Sequence, residues 1–335
     1  MTIVIWGAGA IGGTLGACLL RSGHDVAFVD AVPEHVNAIN TSGLKITGPI
    51  TEFTVQARAF LPEDFTGTYE KIFLATKAQH TRAATEAIKP HLDENGYVLS
   101  VQNGLNELVI QEIVGKERTV GAFVNFGADY QGPGHIEYGG RGAVVVGEID
   151  GKMTERLTQL HSIMLDFEGN AIMTNELWGY LWGKEAYGAM LFVTALTNES
   201  IADGLDDVRY RDIYIATARE ILGVAQKLGV NPKGFNGFDP EAFKPGGDVP
   251  KIDASMSAMV AFNRKSAKSH SGIWRDLAVR KRRTEVIMYE VVVAEGERLN
   301  MSLPVTKRWM NMIHEIEDGV RPMSLTNLDE LKAQL

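Results

Sequence analysis

Thr2-Ile3-Val4-Ile5-Trp6-Gly7-Ala8-Gly9-Ala10-Ile11-Gly12-Gly13 decides the fold. A short apolar run enters a glycine-rich turn. Thr14 to Ser22 follows with the small and apolar spacing of a helix, and Gly23 closes it. His24 to Asp30 is a second apolar run that ends on an acid. Strand, glycine turn, helix, strand and acid make up the pattern of a dinucleotide-binding unit. Gly7 allows the tight turn out of the strand, Gly9 leaves room for a pyrophosphate beside the backbone, and Gly12 lets helix and sheet pack closely. The open N–H groups where the helix starts, at Ala10 and Ile11, face the diphosphate together with the positive end of the helix dipole. Asp30, eighteen residues beyond Gly12, stands where a carboxylate accepts hydrogen bonds from the adenosine ribose. A glycine turn that only packs does not explain Asp30.

Outward from this unit, the first half of the chain alternates strands and helices. Lys71 to Thr76 reads as a buried strand ending at Lys77, and Thr81 to Ile88 as a helix stopped by Pro90. Tyr97 to Val101 is a strand ending at Gln102-Asn103-Gly104, Leu105 to Val114 a helix, and Thr119 to Val124 a further strand. Such alternation predicts a parallel sheet with helices on both faces. His135 to Tyr138 and Ala143 to Gly147, joined by Gly139-Gly140-Arg141-Gly142, predict a hairpin or meander added to that sheet, and Thr154 to Phe167 a helix. Beyond it, Glu176 to Leu196, Val208 to Leu228, Lys251 to Arg264, Trp274 to Leu299 and Pro304 to Glu317 all carry helical spacing. Asn231 to Pro250 reads as a loop rich in Gly, Pro and Phe. The expected fold class is α/β: a Rossmann-type dinucleotide-binding domain over residues 1–170, then an all-helical substrate and dimerisation domain over 171–335. In such a fold the cofactor lies at the carboxyl ends of the parallel strands, and the substrate is expected between the domains.

A length of 335 residues accommodates two domains. The net charge of −9 argues against nucleic acid or an anionic membrane as a partner. Cys18 is the only cysteine, which excludes an intrachain disulfide and a cysteine-based metal site. The histidines show neither H-x-x-x-H nor H-E-x-x-H spacing, and there is no G-x-S-x-G, so neither a metal centre nor a hydrolase is indicated. The chain starts directly on a strand and has no apolar run of membrane-spanning length, so a cytoplasmic setting is expected.

Six segments carry a resemblance: the glycine turn, Thr76-Lys77-Ala78, Gln102-Asn103-Gly104, Trp182-Gly183-Lys184, Thr194-Ala195-Leu196-Thr197 and Arg283-Thr284-Glu285. In order and spacing they resemble the ketopantoate reductase family over nearly the whole chain. The resemblance implies reduction of a 2-oxo acid by hydride from a nicotinamide, normally NADPH, in a homodimer joined through the helical domain. It maps the family's catalytic lysine onto Lys184 and a glutamate that places substrate and lysine onto Glu285. It also puts Lys77 near cofactor or substrate, and Asn103 on the nicotinamide ribose or substrate. Each residue has a plainer reading as well. Lys184 is then a lysine with its head at the surface, Glu285 pairs with Lys281 one helical turn earlier, Lys77 is a solvated strand end, and Asn103-Gly104 is an ordinary turn.

Three departures from the family pattern matter. The family's substrate-holding asparagines, four and eight residues after the lysine, are here Gly188 and Phe192, which predicts a gap and a ring where a polyol was held. His270-Ser271-Gly272-Ile273-Trp274-Arg275-Asp276 replaces a serine-rich stretch, with one extra residue between Asp276 and Glu285. Ser271, Trp274 and Arg275 are therefore candidates for an altered substrate pocket, Arg275 as a carboxylate clamp or simply paired with Asp276. Finally, Asp30-Ala31-Val32-Pro33-Glu34 contains no cation, and none occurs before Lys45. That favours NAD over NADP. The leading expectation is an NAD-linked oxidoreductase acting on a small hydroxy or oxo acid. The alternatives are an NADPH-dependent 2-dehydropantoate 2-reductase and a non-catalytic dinucleotide sensor.

Overall fold

In the computed structural model, which describes residues 1–244, 246–266 and 269–335, Ile3–Trp6 forms strand β1 inside an eight-stranded sheet. The other strands are β2 (Val26–Val29), β3 (Leu44–Thr47), β4 (Phe53–Val55), β5 (Arg58–Phe60), β6 (Tyr69–Leu74), β7 (Leu92–Ser100), β8 (Thr119–Val124), β9 (Gly127–Gly132), β10 (His135–Gly140), β11 (Val144–Glu148) and β12 (Ile172–Met173). Helices α1 (Ala10–Arg21), α2 (Pro33–Ser42), α3 (Thr81–Ile88), α4 (Glu107–Val114) and α5 (Glu155–Phe167) lie between them. The sheet order is β12-β11-β8-β7-β6-β1-β2-β5. β1 pairs in parallel with β2 on one side and β6 on the other, so the topological switch point falls at the glycine turn. Alternation along β1 feeds two cores. Ile3 and Ile5 pack with Leu15, Phe28 and Phe73, while Val4 and Trp6 pack with Val29, Ile72 and Val98 on the opposite face.

A second sheet, β4-β3-β10-β9, covers the outer side of α1. That helix is buried from Gly12 to Leu19 because it lies between two sheets. A Cβ on Gly13 would stand 2.3 Å from Ile136 Cδ1 of β10 and 2.6 Å from the Ala8 carbonyl oxygen, so this position favours glycine. The expected hairpin of residues 135–147 is thereby corrected. β10 pairs with β9 and β3 in the small sheet, whereas β11 runs antiparallel to β8 in the large one. The chain divides into Met1–Leu177 and Trp178–Leu335. The cause is β12, which pairs with β11, and Thr174, whose N–H donates to the Val146 carbonyl at 3.0 Å.

The second unit is helical: α6 (Leu177–Thr194), α7 (Ile201–Asp206), α8 (Arg211–Lys227), α9 (Val249–Lys265), α10 (Gly272–Trp274), α11 (Met288–Arg298), α12 (Pro304–Glu317) and α13 (Thr326–Lys332). In the 231–250 loop, Pro245 lies outside the described residues. The helix expected over Trp274 to Leu299 is interrupted. A π-helical turn, Arg275–Val279, follows α10, and residues 280–287 are irregular before α11. Lys281 has φ +51°, which no helix continues through. Tertiary bonds override the helical pattern here. Thr284 donates from its N–H and its hydroxyl to one oxygen of the buried Glu317 carboxylate, both at 2.7 Å, and Arg283 bonds Glu317 and Asp318.

The start of α12 needs no such override. Pro304 supplies its fixed φ, and the Glu220 carboxylate of α8 accepts the N–H groups of Val305 and Thr306 at 3.0 and 2.8 Å. Removing these bonds in Glu220→Ala is expected to destabilise the fold by about 1–3 kcal/mol. Urea unfolding measures this, and an unchanged midpoint at an unchanged slope would show that water replaces the cap.

Candidate functional site

The glycine turn is built as a dinucleotide cradle requires. Gly7 has φ +101°, and a Cβ there would lie 2.8 Å from Thr76 N. On Gly12 a Cβ would come within 2.0 Å of the Gly7 carbonyl oxygen, whereas on Gly9 it would meet nothing within 4 Å. The backbone is therefore closed on the sheet side and open beside Gly9. Ala10 and Ile11, half-buried, form the first turn of α1. Asp30, just past β2, accepts the Ala8 N–H on Oδ2 at 2.8 Å and the Val32 N–H on Oδ1 at 3.0 Å. These bonds hold the carboxylate beside the turn and leave each oxygen a further lone pair for a ribose hydroxyl. Glu34 lies in the first turn of α2. Partial burial, then the charges of Asp30 and Glu34, keep the Tyr130 phenol above its ordinary pKa, so this end of β2 is electrostatically negative.

Lys77 and Asn103 lie just past β6 and β7. A buried amide joins their two segments. Gln102 Nε2 donates to the Thr76 carbonyl and to the Thr81 hydroxyl, both at 2.8 Å. The Thr81 hydroxyl donates to Asn106 Oδ1 at 2.8 Å, and Asn106 Nδ2 donates to the Asn103 carbonyl at 2.6 Å. Gly104, at φ +103°, then turns the chain into α4. Lys77 is half-buried, and Asn103 is exposed. Thr81 and Asn106 escape sequence reasoning because each looks like an ordinary polar residue at an element's end.

In the second unit, Lys184 is half-buried on α6, among the buried Leu181, Trp182, Ala186 and Tyr187. The glycine before it has a steric cause: a Cβ on Gly183 would lie 2.1 Å from the Lys233 carbonyl oxygen. The Lys233 N–H also donates to the Gly179 carbonyl at 2.8 Å, so the loop that follows α8 lies on the turn preceding Lys184. Two expectations need correction. The space above Gly188 is not an empty gap, because a Cβ there would stand 2.8 Å from the Tyr289 hydroxyl, which donates to the Glu185 carbonyl at 2.8 Å. Phe192 does not line a wall either. It is 2% exposed, with ring centroids 5.3 Å from Tyr289 and 5.4 Å from Trp309, inside the core of the helical unit.

The 270–285 segment is held by a set of local bonds. Ser271 Oγ, buried, accepts the Trp274 N–H at 3.1 Å as a helix cap. The Trp274 and His270 rings lie 4.0 Å apart at a 31° tilt, and the indole N–H donates to Asn198 Oδ1 at 3.4 Å. Asp276, weighed as a partner for Arg275, is bonded by Arg280 and Arg282 at 3.0 and 2.9 Å. The Arg280 N–H reaches the Arg275 carbonyl, a π-type bond that takes up one residue more than an α turn. Glu285 is half-buried in the irregular stretch and shares no helix with Lys281. Among the described residues, no group of three or more His, Cys, Asp or Glu is placed to hold a metal, and no helix is long and apolar enough to cross a membrane.

A parallel sheet with this glycine turn, followed by an all-helical unit, defines a class of two-domain dinucleotide oxidoreductases. Within it, the chain belongs to the ketopantoate reductase PanE/ApbA family, whose model matches residues 3–151 and whose C-terminal model matches residues 177–317. It is similar to the 2-dehydropantoate 2-reductase of Archaeoglobus fulgidus, 27% identical over 323 residues that span 95% of this chain and 98% of the relative. The enzyme of that name from Lactococcus lactis is 25% identical, covering 95% of this chain and 98% of its own length. Among solved structures, D-mandelate dehydrogenase with NADH and anilino(oxo)acetate has a TM-score of 0.82 at 21% identity, covering 96% of this chain and 99% of that one. A PanE/ApbA family ketopantoate reductase from Ralstonia eutropha JMP134 has a TM-score of 0.79 at 24% identity, with coverages of 96% and 99%. At these identities the structural likeness is one of fold. Family membership makes the protein a ketopantoate reductase-type oxidoreductase that works with a nicotinamide dinucleotide on CH–OH and C=O groups.

Proposed function

We propose that the protein is an NAD-linked oxidoreductase acting on a 2-oxo or 2-hydroxy acid that need not be pantoate. The Asp30 carboxylate, held beside the glycine turn by Ala8 and Val32, carries the reading. Gly7, Gly9, Ala10, Ile11 and Gly12 would hold the diphosphate, Asp30 the adenosine ribose, and Lys77 and Asn103 the nicotinamide end or the substrate. When bound, the nicotinamide supplies or takes the hydride. Lys184 Nζ donates a proton to the carbonyl oxygen as negative charge builds on it, and takes that proton back in the oxidising direction. Glu285 orients the substrate hydroxyl and the lysine, and Arg275 meets the substrate carboxylate. The first unit is then the dinucleotide domain, and the second supplies substrate groups and the contact of a homodimer.

Two observations support the substrate class. At the family's polar positions, Gly188 offers no hydrogen bond from a side chain, and Phe192 is packed inward. The D-mandelate dehydrogenase of the same fold is described with NADH and anilino(oxo)acetate, an aromatic oxo acid. The relatives named 2-dehydropantoate 2-reductase favour a second reading, reduction of ketopantoate itself with NADPH.

Steady-state oxidation of NADH and NADPH with a panel of 2-oxo acids, from ketopantoate to phenylglyoxylate, separates the two. Ketopantoate is expected to react weakly, with kcat/KM below about 10⁵ M⁻¹s⁻¹, an ordinary enzyme's value. Efficient reduction of ketopantoate would establish the second reading. Tight cofactor binding with no turnover on any acid would leave a dinucleotide sensor.

A further inference from the structure

His35 is a lone histidine near the start of α2, and nothing in the sequence singles it out. In the structure it is 1% exposed, and both ring nitrogens are bonded to backbone. The Gly134 N–H, in the turn between β9 and β10, meets Nδ1 at 2.9 Å. An amide N–H only donates, so Nδ1 carries no proton. The proton is on Nε2, which donates to the Ala8 carbonyl at 2.8 Å. The Ala8 residue is thus held at both ends, by Asp30 at its N–H and by His35 at its C=O. A trans peptide is planar, with its N–H opposed to its C=O. Fixing the Ala8 carbonyl on His35 therefore fixes the direction of the Gly9 N–H, which belongs to the same peptide plane.

We propose that His35 is a positioning residue for the dinucleotide: through the Ala8 carbonyl it orients the Gly9 N–H offered to the cofactor diphosphate, and through Gly134 it anchors that peptide to the small sheet. The inference rests on the cofactor reading above. His35 touches neither cofactor nor substrate and acts only through the turn. It lowers the cost of binding by holding the donor in place beforehand.

The test compares the full-length wild type with His35→Leu, His35→Gln and His35→Asn. NADH and NADPH affinities are taken from fluorescence titration, and kcat and KM from a 2-oxo acid found to turn over. A glutamine amide reaches the position of Nε2 and can donate to Ala8, whereas an asparagine amide reaches only as far as Nδ1. His35→Leu is expected to weaken dinucleotide binding about tenfold, the effect of one charge-assisted hydrogen bond, with kcat at saturating cofactor within about twofold of wild type. His35→Gln should recover most of the affinity, and His35→Asn should not. Should His35→Leu fail to fold, the Gln and Asn pair decides by itself. Equal affinities for Gln and Asn, or a Leu variant that binds like wild type, would overturn the inference and leave the cofactor reading standing. A wild type that binds neither dinucleotide would overturn both.

Discussion

Lys184→Ala should lower kcat by about two to four orders of magnitude while NADH affinity stays within a few-fold of wild type. The expectation follows from what Lys184 is and where it lies. It is half-buried on α6, in a stretch of the helix whose other residues are mostly buried. The turn before it is held by the Lys233 backbone over Gly179 and Gly183, which limits how far the helix can shift. Hydride addition places charge on a carbonyl oxygen, and an alanine neither stabilises that charge nor delivers the proton. Lys184→Arg separates the two contributions, because a guanidinium keeps the charge yet does not give up a proton at neutral pH. Steady-state rates together with a cofactor titration check the claim, and near-normal turnover in Lys184→Ala would remove this residue from the mechanism.

The second large effect concerns the cofactor. NADH should be preferred over NADPH by at least about tenfold in kcat/KM, since like charges brought together can cost several kcal/mol. A 2′-phosphate placed at the ribose would meet the Asp30 carboxylate, which two backbone N–H groups keep from turning away, and Glu34 adds a second negative charge at the start of α2. No Lys or Arg occurs between Asp30 and Lys45 to offset them. Asp30→Ala combined with Ala31→Arg should reverse the preference. It should also weaken both cofactors somewhat, because Ala8 loses the acceptor for its N–H. The ratio of the two kcat/KM values at one ionic strength is therefore the decisive readout. Equal values for the natural sequence would mean that Asp30 serves only to brace the turn.

What could be read from the sequence was what local chemistry alone dictates. The glycine turn was legible because a positive φ, a close helix–sheet approach and an open backbone each exclude a side chain. The start of α12 was legible because proline fits a helix's first turn. The break at residues 280–287 was not, because Arg-Lys-Arg-Arg-Thr-Glu has every local reason to continue a helix. Only the buried Glu317, more than thirty residues later, draws Thr284 and Arg283 out of it. Strands β3, β4 and β5 are three or four residues long, too short to show a period. His35 carries no signal of its own, since its importance lies in backbone groups that become neighbours only in the folded chain. Phe192 was misjudged for a related reason: helical spacing puts it on the stripe of Lys184 but does not say what packs against that stripe.

The Tyr289 hydroxyl over Gly188 also constrains how this protein could have diverged. A side chain at position 188 and the phenol at 289 compete for one volume, so the two positions are epistatic. An asparagine at 188, as the family pattern has it, is accommodated more readily once the Tyr289 hydroxyl has shifted or gone, along with its bond to the Glu185 carbonyl. Taken in the other order, the intermediate sequence carries a clash beside the lysine. Varying positions 188 and 289 together therefore reaches sequences that varying 188 alone does not.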